Sequence, residues 1–259
     1  MRRPLTRADG RSRVAALLPP VALLVGLTGY GFSMAVMVRA GLGLDPWDVF
    51  HQGLARRTGM TIGVASAVVG VAVLLAWIPL RNRPGIGTVA NVLVIAITVD
   101  AGMALLPTPS SLPVRAAMML GAVALNALST VLYIGAGMGP GPRDGLMTGL
   151  VARTGLSVRL VRTSIEATVL AVGWLLGGTV GIGTVVYAFG IGPLVQLILR
   201  LTPRRWLDLS DFGGQTAGER TRAHRNRLTT MGGWRAPEDR SAATRESRPE
   251  KVETTVRET

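Results

Sequence analysis

The feature that most limits the fold of this chain is a set of long segments without charged residues. Residues 14–38 form an uncharged run of 25 residues, and residues 167–199 contain no charge over 33 positions. A helix needs roughly 20 apolar residues to cross the hydrocarbon core of a bilayer. Only 17% of the residues are charged, whereas soluble domains average about 25%. The sequence therefore predicts an all-α polytopic membrane protein.

Turn residues divide the apolar segments into six predicted transmembrane helices. Pro84 and Gly85 separate the second helix from the third, and the glycine-rich stretch 177–183 splits the last uncharged run in two. Glycine and proline are the strongest local breaks in a helical pattern. The predicted spans are residues 14–38, 62–80, 86–106, 116–138, 160–176 and 183–199.

The arginines in the short loops predict the orientation in the cell membrane. With the N-terminus in the cytoplasm, eleven arginines lie on the cytoplasmic side and four on the outside, in agreement with the positive-inside rule. Residues 1–13 are predicted to be a basic cytoplasmic N-terminus, and residues 203–259 a disordered, charged cytoplasmic tail. The net charge of +13 is thus assigned to topology and to anionic lipid headgroups, and not to nucleic acid.

A repeat with a shift of 96 positions links the two halves of the chain. Residues 40–59 and 136–155 share ten identities in 20 aligned positions without a gap, and the segment GIGTV recurs at residues 85 and 181 in the same register. Residues 14–106 and 107–202 are therefore predicted to be two copies of one unit. Because each copy has three spans, the copies are expected to be inverted relative to each other, as in many secondary transporters. A duplication that only builds a stable bundle is the alternative.

Each copy also contains a short helix after its first span. Asp45 is a candidate N-cap, Pro46 fits the first helical position, Asp48 stands where a capping-box carboxylate would, and Gly59 suits the C-terminal cap. Residues 46–58 give a helix about 20 Å long, which is too short to cross a bilayer. Either an amphipathic interfacial helix or a re-entrant half-helix fits this pattern, and the same holds for residues 142–154. His51 is expected to be an interfacial side chain.

Charged residues within or beside the predicted spans are the candidate ligand-binding groups. Such residues are costly in lipid and usually face a protein interior or water. Arg162 and Glu166 are four positions apart and can pair on one helical face, where they would either lock the bundle or line a site. If the two short helices dip inward from opposite sides, Asp48 and Asp144 approach each other near the centre. The candidates are Asp48, Asp144, Arg143, Arg162, Glu166 and Asp100.

The residues needed for common enzyme and metal sites are scarce. The chain has no cysteine and two histidines, which leaves little material for a thiolate site, a zinc motif or a Ser-His-Asp triad. The stretch GMGPGPRDG lacks the Lys-Ser/Thr of a phosphate-binding loop. The sequence therefore predicts a protein that is not an enzyme, with no cofactor and no metal.

The motifs AGLGLDPWDVFHQGL, GPRDGL, VRLVRTSIEATVLAVGWLLGG and GIGT followed by GIGP resemble those of the bacterial YczE/YyaS/YitT-type integral membrane proteins. The resemblance covers about residues 14–204. It implies a multi-pass inner-membrane protein, and it assigns neither an activity nor ligand residues.

Two functions remain open from the sequence. The first is a transporter or permease for an unidentified small solute. The second is a membrane scaffold or accessory protein that does not transport and acts through a partner. The sequence gives no oligomeric state.

Overall fold

The computed structural model describes the backbone of residues 9–202 and the side chains of residues 17–202. Regular structure in this part of the chain is entirely helical. The eight helices are α1 (Asp9–Ala40), α2 (Pro46–Thr58), α3 (Ile62–Leu80), α4 (Ile86–Leu105), α5 (Leu112–Gly135), α6 (Pro142–Thr154), α7 (Val158–Leu175) and α8 (Ile182–Leu201). Residues 1–8 of the predicted basic N-terminus and the predicted tail, residues 203–259, lie outside the described residues.

Five of these helices, α1, α3, α4, α5 and α8, are long and apolar enough to cross a membrane. The remaining predicted span, residues 160–176, corresponds to α7, which has 18 residues but carries three charged side chains, those of Arg159, Arg162 and Glu166. Many large apolar side chains on the five helices are exposed on the outer surface of the bundle, as lipid-facing positions are. The architecture is that of a multi-pass membrane protein.

The helices of the two halves correspond under the same 96-residue shift that the sequence shows. The bounds of α2 and α6 coincide under this shift, and so do those of α4 and α8. Gly41 and Gly43 have positive φ angles of 62° and 122°, and their counterparts Gly137 and Gly139 have angles of 64° and 126°. The tight turn between the first helix and the short helix is therefore built in the same way twice.

The centre of the bundle is the contact between α1 and α5. Gly26 packs against the backbone of Tyr133, and Gly29 packs against Ser129. Farther along, the amide of Asn126 donates a 2.9 Å hydrogen bond to the hydroxyl of Ser33. Residue numbers rise along α1 while they fall along α5, so the two helices run antiparallel. Small residues at such contacts let helix backbones approach closely.

The other helices pack around this pair in corresponding positions. Helix α4 packs on α1 and α8 packs on α5, while each short helix crosses over, α2 onto α7 and α6 onto α3. Two backbone hydrogen bonds mirror each other: Gly183 N–H donates to the Leu42 carbonyl (2.7 Å), and Gly87 N–H donates to the Met138 carbonyl (3.0 Å). The two halves are therefore joined by the packing of each short helix on the other half and by these two backbone hydrogen bonds.

The predicted bounds of α5 were wrong by several residues. The sequence placed this helix at residues 116–138, whereas it spans Leu112–Gly135. It starts earlier because Arg115 does not need to remain in the headgroup region: its guanidinium donates to the carbonyls of Ala40 and Gly41, at 2.7 Å in each case. It ends earlier because Gly137 adopts a left-handed conformation. Helix α1 likewise extends beyond the predicted residues 14–38 at both ends.

The packing of α6 on α3 makes a sharp prediction at Gly145. A Cβ atom at this position would lie 1.9 Å from the ring of Trp77, whose indole N–H donates to the Pro142 carbonyl. We expect Gly145→Ala to lower the apparent melting temperature in detergent, because overpacking a buried contact costs about 1–3 kcal/mol. Gly121→Ala is the matched control, since nothing lies within 4 Å of a Cβ added there. Equal stability of the two variants would contradict this packing.

Candidate functional site

The first turns of α2 and α6 face each other inside the bundle. Asp45 caps α2 by accepting hydrogen bonds from the backbone N–H groups of Trp47 (2.9 Å) and Asp48 (3.2 Å). Helix α6 begins after Gly141, which has no side chain to cap it. Its second residue, Arg143, reaches across to the first turn of α2. Two helix starts with different caps thus meet at one place.

Arg143 connects the two turns by electrostatic contacts. Its guanidinium nitrogens lie 3.8 Å from Asp45 Oδ1 and 3.6 Å from Asp48 Oδ1, which is longer than a hydrogen bond. The guanidinium carbon lies 4.9 Å from the centre of the Trp47 ring, a cation–π distance. Trp47 and Arg143 occupy equivalent positions of the two copies. The contact between them is therefore a contact between two counterpart residues.

This cluster is shut off from solvent on the α2 side. Asp45, Asp48 and His51 are 2%, 0% and 1% exposed, whereas the Arg143 side chain is 27% exposed. Buried charged groups are normally paired and hydrogen-bonded. In the described part of the chain no hydrogen-bond donor reaches either oxygen of Asp48. The cluster is thus held by charge and burial with incomplete hydrogen bonding, which is typical of functional sites.

Two local predictions from the sequence were wrong here. Asp48 does not form a capping box, because its carboxylate turns into the bundle toward Arg143 and leaves the cap to Asp45 alone. His51 is not an interfacial side chain. It is buried, with Nδ1 at 3.3 Å from Asp48 Oδ1, because the face of α2 that carries it packs into the interior.

The cluster lies between a small cavity and a larger cleft. The cavity, of about 90 Å³, is lined by Tyr30, Trp47, Tyr133, Arg143 and Asp144 among others. The cleft, of about 390 Å³, is lined by the same five residues and by residues of α7 and α8. Tyr133 donates a 3.2 Å hydrogen bond to Asp144 Oδ2. Polar groups of both copies therefore line both spaces.

Arg162 and Glu166 lie along the cleft and form an ion pair, with 2.8 Å between Nε and Oε1. Their side chains are 60% and 37% exposed. The position equivalent to Glu166 in the first copy is Gly70, which packs against Val92 of α4. Helix α3 therefore packs along α4, whereas α7 and α8 make almost no contact with each other. The space between α7 and α8 is the cleft.

Asp100 does not join the other predicted site residues. Its carboxylate accepts hydrogen bonds from Gly63 N–H (2.8 Å) and from the Thr61 hydroxyl (2.5 Å). These contacts satisfy the start of α3 at the far end of α4, where Asp100 also lines a separate open cleft of about 500 Å³. The remaining five predicted residues all contact the cluster or line the spaces beside it: Asp48, Asp144, Arg143, Arg162 and Glu166.

The sequence did not indicate several residues of the site. Asp45 was predicted only as a helix cap, and the three tyrosines Tyr30, Tyr133 and Tyr187 carried no recognisable motif. Tyr187 of α8 donates to the amide oxygen of Asn126, which in turn bonds Ser33, so Asn126 makes ordinary interhelical hydrogen bonds. One feature of the sequence could have indicated the site: the unlike residues Trp47 and Arg143 occupy equivalent positions of the two copies.

In the described residues no group of three His, Asp or Glu side chains is arranged to hold a metal ion. The absence of a cofactor remains a prediction from the sequence.

The charge balance of the cluster makes a second prediction. We expect Arg143→Gln to destabilise the protein at neutral pH by about 3–5 kcal/mol, the usual cost of leaving a buried charge without its partner. The loss should shrink as the pH falls, because protonation removes the uncompensated negative charge. Apparent melting temperatures in detergent at neutral and acidic pH provide the measurement.

Two further variants control this experiment. Adding both Asp45→Asn and Asp48→Asn to Arg143→Gln should restore much of the stability, since the three changes together leave neither the guanidinium nor its two carboxyl partners. Arg159→Gln, at an exposed position on α7, should have little effect. An equal loss in Arg159→Gln, or no recovery in the triple variant, would argue against the ion cluster.

Comparison with known proteins places the chain among membrane proteins without an assigned activity. It is 41% identical over 182 residues to an uncharacterised protein of Haemophilus influenzae, covering 70% of this chain and 84% of the relative. It is 32% identical over 188 residues to the uncharacterised membrane protein YczE of Bacillus subtilis, covering 72% and 85%. YyaS of the same organism is 22% identical over 194 residues, covering 73% and 96%. The predicted resemblance is thus confirmed.

No solved structure matches the chain. Residues 20–200 match the model of a family of unknown function, DUF6198. This match includes all but the ends of the described helices, and with it the whole cluster of Asp45, Asp48 and Arg143. The chain belongs to the DUF6198 family of membrane proteins.

Proposed function

We propose that this protein is a transporter or permease for a small solute, and not an enzyme, built from two inverted repeats of three transmembrane helices and one re-entrant short helix each. The observation that carries the proposal is the buried charge cluster where the first turns of α2 and α6 meet, at the inner end of an open cleft. Membrane proteins keep charged groups in their interior chiefly where they bind or move a solute or ion.

The inverted arrangement is supported by the contact between α1 and α5. These are equivalent helices of the two copies, and they pack antiparallel. The mirrored hydrogen bonds at Leu42 and Met138 are also what a pseudo-two-fold axis in the membrane plane would produce. Helix α7 serves as the sixth span, with Arg162 and Glu166 directed to the cleft and away from lipid. Inverted repeats with a site at their interface are common in secondary transporters.

The contact between α2 and α6 favours re-entrant helices over interfacial ones. If α2 lay flat on one face of the membrane and α6 on the other, their first turns would be separated by a core about 30 Å thick. The guanidinium of Arg143 instead lies within 4 Å of Asp45 and Asp48. Both short helices must then start well inside the bilayer. Irregular backbone at that depth is tolerated where it lines a cavity or is buried in protein.

The arginine distribution favours a cytoplasmic position for both termini, and anionic lipid headgroups are the proposed partners of the basic residues near the membrane surface. In this orientation the last turn of α2 points outward and the last turn of α6 points inward. The two repeats would then present the same short helix to opposite sides of the cell membrane.

The orientation is testable with introduced thiols because the native chain has no cysteine. Thr58 and Thr154 are a matched pair, each exposed and each bonded to the carbonyl four residues earlier. We expect Thr58→Cys to react with a membrane-impermeant maleimide in intact cells and Thr154→Cys to react only after the cells are opened. Reaction of both thiols from the same side would refute the inverted repeat.

A second labelling experiment tests whether the cleft contains water. Glu166→Cys and Gln196→Cys lie in the cleft, and we expect both thiols to react with a small, charged methanethiosulfonate reagent. Phe189→Cys, on α8 outside the cleft and 78% exposed on the apolar surface, is the control and should react slowly because it faces lipid. Uniformly unreactive cleft positions would contradict a transporter and favour a scaffold that acts through a partner.

A further inference from the structure

The turn from α1 into α2 holds two carboxyl groups with few hydrogen-bond donors. The side chains of Asp45 and Asp48 are buried, and both approach the guanidinium of Arg143. Asp45 Oδ1 accepts the two backbone N–H groups of the cap. In the described part of the chain, no donor reaches Asp45 Oδ2 or either oxygen of Asp48. Three of the four carboxylate oxygens are therefore buried acceptors without a partner.

The charges of the cluster do not balance if both carboxyl groups are ionised. Arg143 is the cation in contact with both of them, at 3.8 Å and 3.6 Å. Two carboxylates beside one guanidinium leave one negative charge in excess on side chains that are at most 2% exposed. An unpaired charge in such a place is strongly unfavourable, and the group neutralises instead.

The other titratable groups that face the pair do not supply the missing charge. His51 of α2 has Nδ1 at 3.3 Å from Asp48 Oδ1 without a hydrogen bond, and its burial disfavours a charged imidazolium. Asp144 of α6 is an acid and supplies no positive charge; its Oδ2 accepts from the Tyr133 hydroxyl. The other neighbours are the neutral hydroxyls of Tyr30, Tyr133 and Tyr187, on α1, α5 and α8.

A single proton satisfies both the charge and the hydrogen bonding. Carboxylates in one buried site commonly share one proton, and a protonated carboxyl group can donate to an oxygen that otherwise has no partner. The resulting set of one carboxylate, one carboxylic acid and one guanidinium is neutral. A metal ion would need several oxygen ligands around it, and no group of three acidic or histidine side chains among the described residues is so arranged.

We propose that the Asp45–Asp48 pair holds one exchangeable proton and that this proton is the coupling ion of transport. The first half of this proposal stands on the pair itself, and the second half rests on the proposed function. Asp45 and Arg143 both border the cleft between α7 and α8, so the proton can pass from the carboxyl oxygen to water there. A solute that displaces Arg143 when it binds in the cleft would change how strongly the pair holds its proton. Binding of the solute and binding of the proton would then be coupled.

Infrared spectroscopy of the full chain in lipid vesicles, without any added solute, tests the first half. We expect the C=O stretch of a protonated carboxylic acid, shifted on exchange from H2O to D2O. Asp45→Asn and Asp48→Asn should each abolish the band, because the carboxylate that remains is balanced by Arg143. Asparagine is also an acceptable N-cap at position 45. Asp100→Asn is the control and should keep the band, since Asp100 caps α3 and is not part of the pair.

Several outcomes would overturn the proton site. The first is the absence of the band from the wild-type protein, and the second is a band that survives in either asparagine variant. If the wild-type band is absent and Na⁺ stabilises the protein, the excess charge is balanced by a sodium ion instead. The wild-type isotope shift gives a result even if a variant does not fold, and size-exclusion profiles identify that case. If the band is present but the thiols in the cleft are unreactive, the proton site is supported and its role in transport is refuted.

Discussion

The close antiparallel contact between α1 and α5 is the interaction on which the remaining architecture depends. Gly26 and Gly29 bring the two backbones together, and the hydrogen bond from Asn126 to Ser33 fixes their register. Because the two helices are equivalent, this single contact determines where every other element of each copy lies relative to the other copy. Helix α4 then packs on α1 and α8 packs on α5, and each short helix crosses to the other half.

That geometry explains why the two copies differ at Trp47 and Arg143. Equivalent residues come into direct contact only near the axis that relates the copies, and two arginines in contact there would repel each other. One aromatic ring and one guanidinium instead form a favourable cation–π contact at 4.9 Å. The same difference brings a positive charge to Asp45 and Asp48, so the site is assembled by a residue that the two repeats do not share.

The sequence predicted the local structure better than the side-chain partners. The bounds of α2 and α3 were predicted correctly, since cap residues such as Asp45 and Gly59 act within a few positions of the helix ends. The ends of α5 were not, because Arg115 finds its acceptors on a different helix. Asp48 was predicted as a site residue but with a capping role as well, and only tertiary packing determines that its carboxylate turns inward. Burial of His51 has the same cause.

The open cleft follows from a side-chain difference and not from a different backbone. Helices α3 and α7 occupy equivalent places, yet Gly70 lets α3 approach Val92 closely, whereas Glu166 and its partner Arg162 stand at the corresponding position of α7. A charged pair of this size cannot be packed against α8 without losing water from both groups, which is costly. The second hairpin therefore stays apart where the first closes. The duplicated framework keeps its shape, and the cleft beside the charge cluster lies on the side where charged residues stand in place of the small ones.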